Sequence, residues 1–169
     1  KANKIIIKKL LNLNLISSGK TIEYPIDAIE YLKKIIKKII KFDGGLLTFD
    51  YGYIEESNED TLQSVRKHKY ESLLFNIGNS DISSHINFKL MSKICKENNL
   101  NVKKIITQSE FLQKMGILDR ANIISKKMTF KEKAKIFYKL KRLLDLQEMG
   151  GLFKVFFAQK KGTDFSLGF

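Results

Sequence analysis

A short apolar run, Leu46–Phe49, lies between a glycine pair and an abruptly polar, aromatic sequence. The run shows no alternation of apolar and polar positions, which predicts a strand covered on both faces, as in a parallel sheet between helices. In open α/β sheets, ligands bind beyond the carboxyl ends of such strands. Asp50, Tyr51 and Tyr53 follow the run at that end. The pattern therefore places the candidate chemistry there.

The sequence before this run predicts a ribbon and a helix. Two apolar stretches within residues 3–15, together with Thr21–Tyr24, predict a small β-ribbon. Pro25 suits the first turn of a helix, where its missing N–H is not needed. Apolar residues then recur at helical spacing as far as Ile40, with lysines on the opposite side. Asp43 and the two glycines after it predict a left-handed end to this helix.

The rest of the chain alternates between strand-like and helix-like patterns. Asn87, Thr107 and Thr129 each precede a helical pattern, and both threonines are followed three residues later by glutamate. Strands are predicted at 61–65 with a continuation to 70, at 82–86, at 102–106 and at 153–158. This order of elements predicts an α/β fold with a mixed sheet and flanking helices.

The formal net charge of +13 indicates a nucleic-acid or anionic-surface binder at first sight. However, arginine, whose planar fork suits phosphate and base recognition, occurs only at positions 66, 120 and 142. Lysine, isoleucine and asparagine share A/T-rich codons, so base composition accounts for much of the lysine excess. The basic amphipathic helix after Pro25 also fits a membrane surface, but the strand that follows it favours packing on a sheet. A basic nucleic-acid or membrane-surface binder is therefore a secondary hypothesis.

Few residues are available for metal or nucleophilic chemistry. The single cysteine, Cys95, excludes a disulfide framework, fits a reducing compartment and lies in a helical pattern that predicts a packed thiol. The two histidines, His68 and His85, have no cysteine pair that would complete a zinc site. Ser83 lacks the sequence of a nucleophile elbow, although Asp81 and His85 are close in sequence. No run reaches the roughly 20 apolar residues of a membrane span.

Five ordered motifs, spread over nearly the whole chain, resemble one family. Residues 45–53 read GLLTFDYGY, which is similar to the segment ALIIDYGY of the MidA family of S-adenosylmethionine-dependent methyltransferases. The other motifs are DTLQSVRKHK at 60–69, NIGNSDISSHINF at 76–88, TQSEFLQKMGI at 107–117 and LQEMGGLFKVFFAQ at 146–159. The chain departs from the family at Asn76, Ser83 and Asn87, where the family often has proline, threonine and aspartate. A role that needs a carboxylate at position 87 is thereby put in doubt.

The resemblance implies a Rossmann-like class I methyltransferase fold, with residues 1–169 as a single unit that forms its C-terminal half. S-adenosyl-L-methionine is the implied cofactor, and the glycine-rich loop that binds it is expected upstream of Lys1. The implied activity is protein arginine methylation linked to respiratory complex I, with a protein substrate such as a complex I subunit and no specific nucleic acid. A homodimer stays open, and the implied location is the bacterial cytoplasm or the mitochondrial matrix.

Without the cofactor loop, this chain alone is expected to be inactive, and a non-catalytic partner-binding module is the main alternative. In the complete enzyme, Asp50 is the candidate carboxylate for orienting a protonated guanidinium, and His85 is the candidate general base. The candidate substrate-binding residues are Tyr51, Gly52, Tyr53, His68 and Asp81. Four of these residues have structural alternatives: Asp50 could cap a turn, Gly52 could serve only a positive φ, and Tyr51 and Tyr53 could simply pack.

Overall fold

The computed structural model describes residues 3–13, 23–55 and 60–169. Its helices are α1 (Lys4–Asn12), α2 (Ile26–Phe42), α3 (Phe88–Glu97), α4 (Gln108–Lys114), α5 (Ile117–Ser125), α6 (Phe130–Leu144) and α7 (Met149–Leu152). Its strands are β1 (Gly45–Tyr53), β2 (Gln63–Arg66), β3 (Lys69–Glu71), β4 (Asp81–Ser83), β5 (Ile86–Asn87), β6 (Leu100–Val102), β7 (Ile106–Thr107) and β8 (Phe153–Lys160).

The main sheet is mixed and is centred on β8. One edge of β8 pairs antiparallel with β1 from Gly45 to Tyr51, and the other edge pairs antiparallel with β6 and β7. β5 adds a parallel pairing to β1 that covers only Gly52 and Tyr53. A separate antiparallel sheet has the order β3-β2-β4. The predicted α/β class with a mixed sheet and flanking helices is confirmed.

Both faces of β8 are covered, and each face has its own core. Phe156 and Ala158 face a core built from α1, α2 and α3, which includes Ile36 and Phe88. Val155 faces a second core with Ile106 and Phe111 of β7 and α4. On this second face, Phe157 also stacks on the C-terminal Phe169, with ring centroids 5.5 Å apart. Because β8 has neighbours at both edges and on both faces, its run from Val155 to Gln159 is buried without interruption.

The strand predicted from the apolar run is present as β1, but its predicted burial on both faces is wrong. Leu47 and Phe49 are 48% and 40% exposed, whereas Leu46 and Thr48 on the opposite face are partly buried. The predicted parallel environment is also wrong along most of β1, because its long neighbour β8 is antiparallel. Within the described ranges, no strand pairs with the other edge of β1 between Gly45 and Tyr51. Leu47 and Phe49 therefore stay exposed, although the Phe49 ring contacts Phe111.

The predicted helix boundaries agree with the structure where a side chain or a special backbone angle sets them. Pro25 stands at the N-cap of α2, and Asp43 ends this helix with φ of 53° in the left-handed region. The Asn87 side chain accepts a hydrogen bond from the Leu90 N–H at the start of α3. Thr129 and Glu132 form a reciprocal capping box at the start of α6.

Other predictions of secondary structure are wrong or incomplete. Residues 4–12 form the helix α1, not a ribbon strand, and its Asn3 cap accepts a hydrogen bond from the Ile5 N–H. Of the predicted strand Thr21–Tyr24, the first two residues lie outside the described ranges, and the rest is not a strand. The predicted strands 82–86 and 102–106 are each broken into two short strands.

Candidate active site at the carboxyl end of strand β1

Aromatic rings gather where β1 ends. Tyr51 lies beside His85 with ring centroids 5.5 Å apart, and it also contacts Phe153 at 5.7 Å, both in edge-on geometry. Phe153 reaches this place because it pairs with Tyr51 across the β1–β8 ladder. His85 reaches it because the next residue begins β5, which pairs with the end of β1. Two strands thus bring residues from three distant parts of the chain together.

Gly52 makes this convergence sterically feasible. A Cβ atom at position 52 would lie 2.2 Å from the carbonyl oxygen of Ile86, a distance that real side chains do not tolerate. The φ of Gly52 is not in the left-handed region, so close backbone approach, and not an unusual dihedral angle, is what requires glycine here. The backbone that approaches Gly52 belongs to β5. Gly52 therefore fixes His85 and Asn87 next to the end of β1.

A partly buried network of hydrogen bonds anchors the backbone of His85. Both carboxylate oxygens of Glu23 accept hydrogen bonds from the Thr61 hydroxyl at 2.7 and 2.9 Å, and Oε1 also accepts from the Thr61 N–H. The Thr61 hydroxyl oxygen in turn accepts from the His85 backbone N–H at 2.9 Å. The network ties the segment before α2 to the segment before β5. It holds the backbone of His85 and leaves its imidazole ring for other contacts.

Tyr53 is the residue at this end whose ionisation the fold alters. Burial raises the pKa of Tyr53, the nearby Glu23 carboxylate raises it further, and a hydrogen bond with the Asn87 side chain partly opposes both effects. Tyr53 is therefore a neutral hydroxyl at physiological pH. Asn87 has two tasks here, because its side-chain oxygen also caps α3.

Asp50 combines a structural contact with an available oxygen. Its Oδ1 accepts a hydrogen bond from the Tyr51 N–H at 2.8 Å. Its Oδ2 has no hydrogen-bond partner among the residues that the structure describes. Lys154, opposite Asp50 in the ladder, donates instead to the carbonyl oxygens of Gly151 and Leu152, and burial lowers the pKa of its ammonium group. The carboxylate thus keeps one oxygen for another ligand.

A cavity of about 630 Å³ lies between β1, α2 and α3. Its walls are mostly apolar and come from α2, β1 and α3, including Leu46 and Leu90. The polar side chains that line it include Glu23, Asp60 and His85. His85 is therefore shared between the aromatic cluster and this cavity.

Two predicted site residues lie in the small sheet, away from this cluster in the topology. His68, with φ of 62°, and Lys67, with φ of 48°, form the tight turn between β2 and β3. Asp81 is exposed and opens β4, where it pairs with Val65. The structure thus brings Tyr51 and His85 together, keeps Asp50, Gly52 and Tyr53 beside them on β1, and puts His68 and Asp81 on another sheet. The sequence analysis missed Glu23 and Thr61, whose contact joins positions 38 residues apart and has no local spacing signal.

The described ranges contain neither a reactive thiol nor a metal-binding cluster of side chains. Cys95 is fully buried in α3, which confirms the predicted packed thiol, and burial raises its pKa to about 11. No group of three or more histidine, cysteine, aspartate or glutamate side chains in these ranges is arranged to hold a metal ion. No helix there is long and apolar enough to cross a membrane.

Comparison with solved structures defines the class of the fold. A Burkholderia thailandensis superfamily member regarded as a methyl transferase, crystallised with S-adenosyl-homocysteine, matches 99% of this chain and 44% of its own chain, with a TM-score of 0.76 and 21% identity. A native structure of a Burkholderia thailandensis protein of the same superfamily gives the same TM-score over 96% of this chain, with 22% identity. The fold is therefore the α/β fold of these methyltransferase-like proteins.

The sequence comparisons identify the family. A family model described as "Putative S-adenosyl-L-methionine-dependent methyltransferase" matches residues 2–106, which is more than half of the chain. The chain belongs to this family. It is similar to the protein arginine methyltransferase NDUFAF7 of Xenopus tropicalis, with 29% identity over 74% of this chain, and to that of Danio rerio, with 24% identity over 82%. The resemblance to the MidA methyltransferases is confirmed.

The chain spans about a third or less of the length of these curated relatives, 29% and 32% respectively. The family uses S-adenosylmethionine, but the described residues of this chain do not fit a complete cofactor site. Gly150 and Gly151 are packed against the backbone of residues 144–146, and Gly52 is packed against Ile86. Gly44 precedes β1 and Gly45 is its first residue, whereas a cofactor loop follows a strand. These glycines serve chain packing and turns, and none forms a cradle for the cofactor.

Proposed function

We propose that this chain is the acceptor-side half of an S-adenosylmethionine-dependent methyltransferase that modifies arginine side chains of a protein. The observation that carries the proposal is that Asp50 Oδ2, at the end of β1, has no hydrogen-bond partner among the described residues, one position before the Tyr51 ring that contacts His85. Family membership supports methyl transfer, and the name of the relatives supports arginine as the acceptor.

The chemistry of arginine suits this arrangement. A guanidinium is planar and positively charged, so a carboxylate aligns it through charge-assisted hydrogen bonds. In the proposed site, Asp50 Oδ2 orients the guanidinium, and the Tyr51 ring holds the His85 imidazole by edge-on contact. His85 is the proposed acceptor of the proton that the nitrogen loses on methylation. The methyl donor, when bound, supplies a methyl group on a sulfonium, and the residues of this chain position the acceptor.

The test of Asp50 compares Asp50→Asn with a matched control, Asp145→Asn. Asp145 Oδ1 likewise accepts a backbone N–H, from Gln147, and an asparagine keeps such a bond at either position. In the complete enzyme, Asp50→Asn is expected to lower methyl incorporation into arginine peptides about ten- to a hundredfold, equivalent to about 1.5–3 kcal/mol. The thermal melt of both variants should stay close to that of the parent protein. Unchanged turnover for Asp50→Asn would assign Asp50 to turn structure alone.

The cofactor-binding half is proposed to pack against the unpaired edge of β1 and the apolar cavity. The exposed Leu47 and Phe49 and the greater length of the relatives support this placement. The 169-residue chain alone is then expected to show no measurable heat of binding with S-adenosylmethionine. Micromolar binding in titration calorimetry would contradict this division of the enzyme into two halves.

The proposal extends to partners and location. A complex I subunit is the proposed protein substrate, and the proposed compartment is a reducing one, the bacterial cytoplasm or the mitochondrial matrix, consistent with one buried free cysteine. Light scattering of the complete enzyme measures whether it forms a homodimer. Assay of methyl incorporation into a recombinant complex I subunit, with its arginines replaced by lysine one at a time, tests the substrate directly.

A further inference from the structure

The small sheet β3-β2-β4 carries an exposed apolar surface that the proposed active site does not use. β3 and β4 pair with opposite edges of β2, so the loop of residues 72–80 crosses from one edge to the other. Leu74 is 81% exposed and Ile77 is 76% exposed in this loop. The other exposed apolar side chains of the segment are Tyr70, Leu73, Phe75 and Ile82. We call these residues the 70–82 patch.

The exposure of the 70–82 patch is built into the loop by hydrogen bonds. Glu71 Oε2 accepts from the Asn76 side-chain amide at 3.1 Å and from the Ser80 hydroxyl at 3.2 Å. Two backbone turns, from Phe75 N–H to Ser72 and from Asn79 N–H to Asn76, complete the loop. The internal bonds fix the backbone, and the apolar side chains project outward. Clusters of exposed apolar side chains of this kind mark interaction sites.

Cations lie on the same hairpin as the patch. Lys67 and Lys69 are exposed at and beside the turn between β2 and β3, and Arg66 is partly exposed at the end of β2. Of the nearby carboxylates, Glu71 is engaged within the loop and Asp81 is exposed. The hairpin therefore combines projecting aliphatic side chains with a cationic turn, on a chain whose net charge is +13.

We propose that the 70–82 patch docks on an anionic lipid surface. Aliphatic side chains that project from the molecule can enter the acyl boundary of a bilayer, and lysine or arginine at the headgroup level is attracted to anionic lipids. The two features occur together here, and both are needed for reversible surface binding. The proposal concerns a different part of the molecule from the proposed active site and does not depend on it.

Other occupants fit the patch less well. A second copy of this chain would bring two cationic hairpins together, which is repulsive. Single-stranded nucleic acid binds by stacking several bases on aromatic side chains, whereas four of the six patch residues are aliphatic and only Tyr70 and Phe75 are aromatic. A peptide ligand would need a groove on this surface, and groove-lining side chains are partly covered. Leu74 and Ile77 instead project and are more than three-quarters exposed. A membrane surface accepts projecting groups without a matching groove.

The test is sedimentation of the 169-residue chain with vesicles, either of phosphatidylcholine alone or of equal parts phosphatidylcholine and phosphatidylserine. The patch variants are Leu74→Ser/Ile77→Ser and Lys67→Gln/Lys69→Gln. The apolar control is Ile123→Ser/Leu146→Ser, at exposed positions on α5 and just after α6. The charge control is Lys131→Gln/Lys135→Gln, at exposed positions on α6. A thermal melt of each variant checks that the fold is retained.

We expect the parent chain to sediment with the anionic vesicles and to stay in solution with phosphatidylcholine alone. Each patch variant should bind at least tenfold less, and each control should bind within twofold of the parent. Equal losses from the patch and control lysines would overturn the proposal in favour of diffuse attraction by net charge. Absence of vesicle binding by the folded parent would also overturn it and would leave a protein surface as the partner of the patch.

Discussion

Strands β1 and β8 are adjacent and pair over seven residues, yet the protein covers them very differently. β8 has strands at both edges and a core on each face, and Val155, Phe156 and Ala158 are completely buried. β1 has a comparable run, Leu46–Phe49, but Leu47 and Phe49 stay substantially exposed. Burial therefore follows from the number of neighbouring elements and cannot be read from the composition of the strand itself. β8 is the part that stabilises the fold, and β1 is the part that offers surfaces to other groups.

The largest expected difference between the two strands is in how much the free energy of unfolding falls when a phenylalanine is truncated to alanine. Phe156→Ala on β8 removes a completely buried ring and is expected to lower the free energy of unfolding by about 3–5 kcal/mol. Phe49→Ala on β1 removes a partly exposed ring that contacts Phe111 and should cost about 1–2 kcal/mol. Urea unfolding of both variants measures the difference. Equal costs would show that β1 is as well covered as β8 in solution.

The second prediction concerns the part of β1 that pairs with β5, Gly52 and Tyr53. Gly52→Ala would place a Cβ against the Ile86 carbonyl and is expected to cost about 1–3 kcal/mol, because the backbones of β1 and β5 must separate. Gly44→Ala, just before β1, is the control, since its added Cβ would be 3.8 Å from the nearest atom. This control should melt close to the parent. If the two variants melted alike, the close approach of β5 would be excluded.

The smallest expected effect comes from comparing a proline substitution at each of the two edges of β1. The Lys160 N–H donates to the Gly44 carbonyl, so alternation along the ladder directs the backbone groups of Thr48 to β8 and those of Leu47 to the unpaired edge. Thr48→Pro removes a ladder hydrogen bond, whereas Leu47→Pro removes an N–H that faces outward. Thr48→Pro should therefore be less stable than Leu47→Pro by about 1 kcal/mol in urea unfolding. The reverse order would mean that the ladder register is shifted by one residue.

Elements set by local chemistry could be predicted from the sequence. The Thr129 and Glu132 pair, the Asn87 cap and the left-handed Asp43 act through atoms only a few residues away, and the structure has all three. The two apolar stretches within residues 3–15 were predicted to form part of a ribbon, but residues 4–12 are helical. They form a helix because Leu10 and Ile6 pack into the core of α2 and α3. Tertiary packing here outweighs local preference.

The candidate site was predictable only in part, for the same reason. The end of β1 was marked by an aspartate and two tyrosines directly after an apolar run, so Asp50, Tyr51 and Tyr53 could be selected from position. The Glu23–Thr61 contact and the approach of Ile86 to Gly52 depend on how distant segments meet, which no spacing encodes. His68 and Asp81 were selected from a motif, and their placement on a second sheet depends on the β2–β3 turn.

The pairing of β1 with β8 also has a consequence for how the protein is made. Gly45 pairs with Gln159 and Tyr51 with Phe153, so the first strand of the main sheet pairs with the last. At about 5–20 residues per second, the ribosome takes about 5–20 s to travel from one to the other. During that interval the GLLTF segment has no partner, and such apolar, uncharged strands are prone to self-association. A nascent chain of this protein is therefore expected to expose this apolar strand until β8 has emerged from the ribosome.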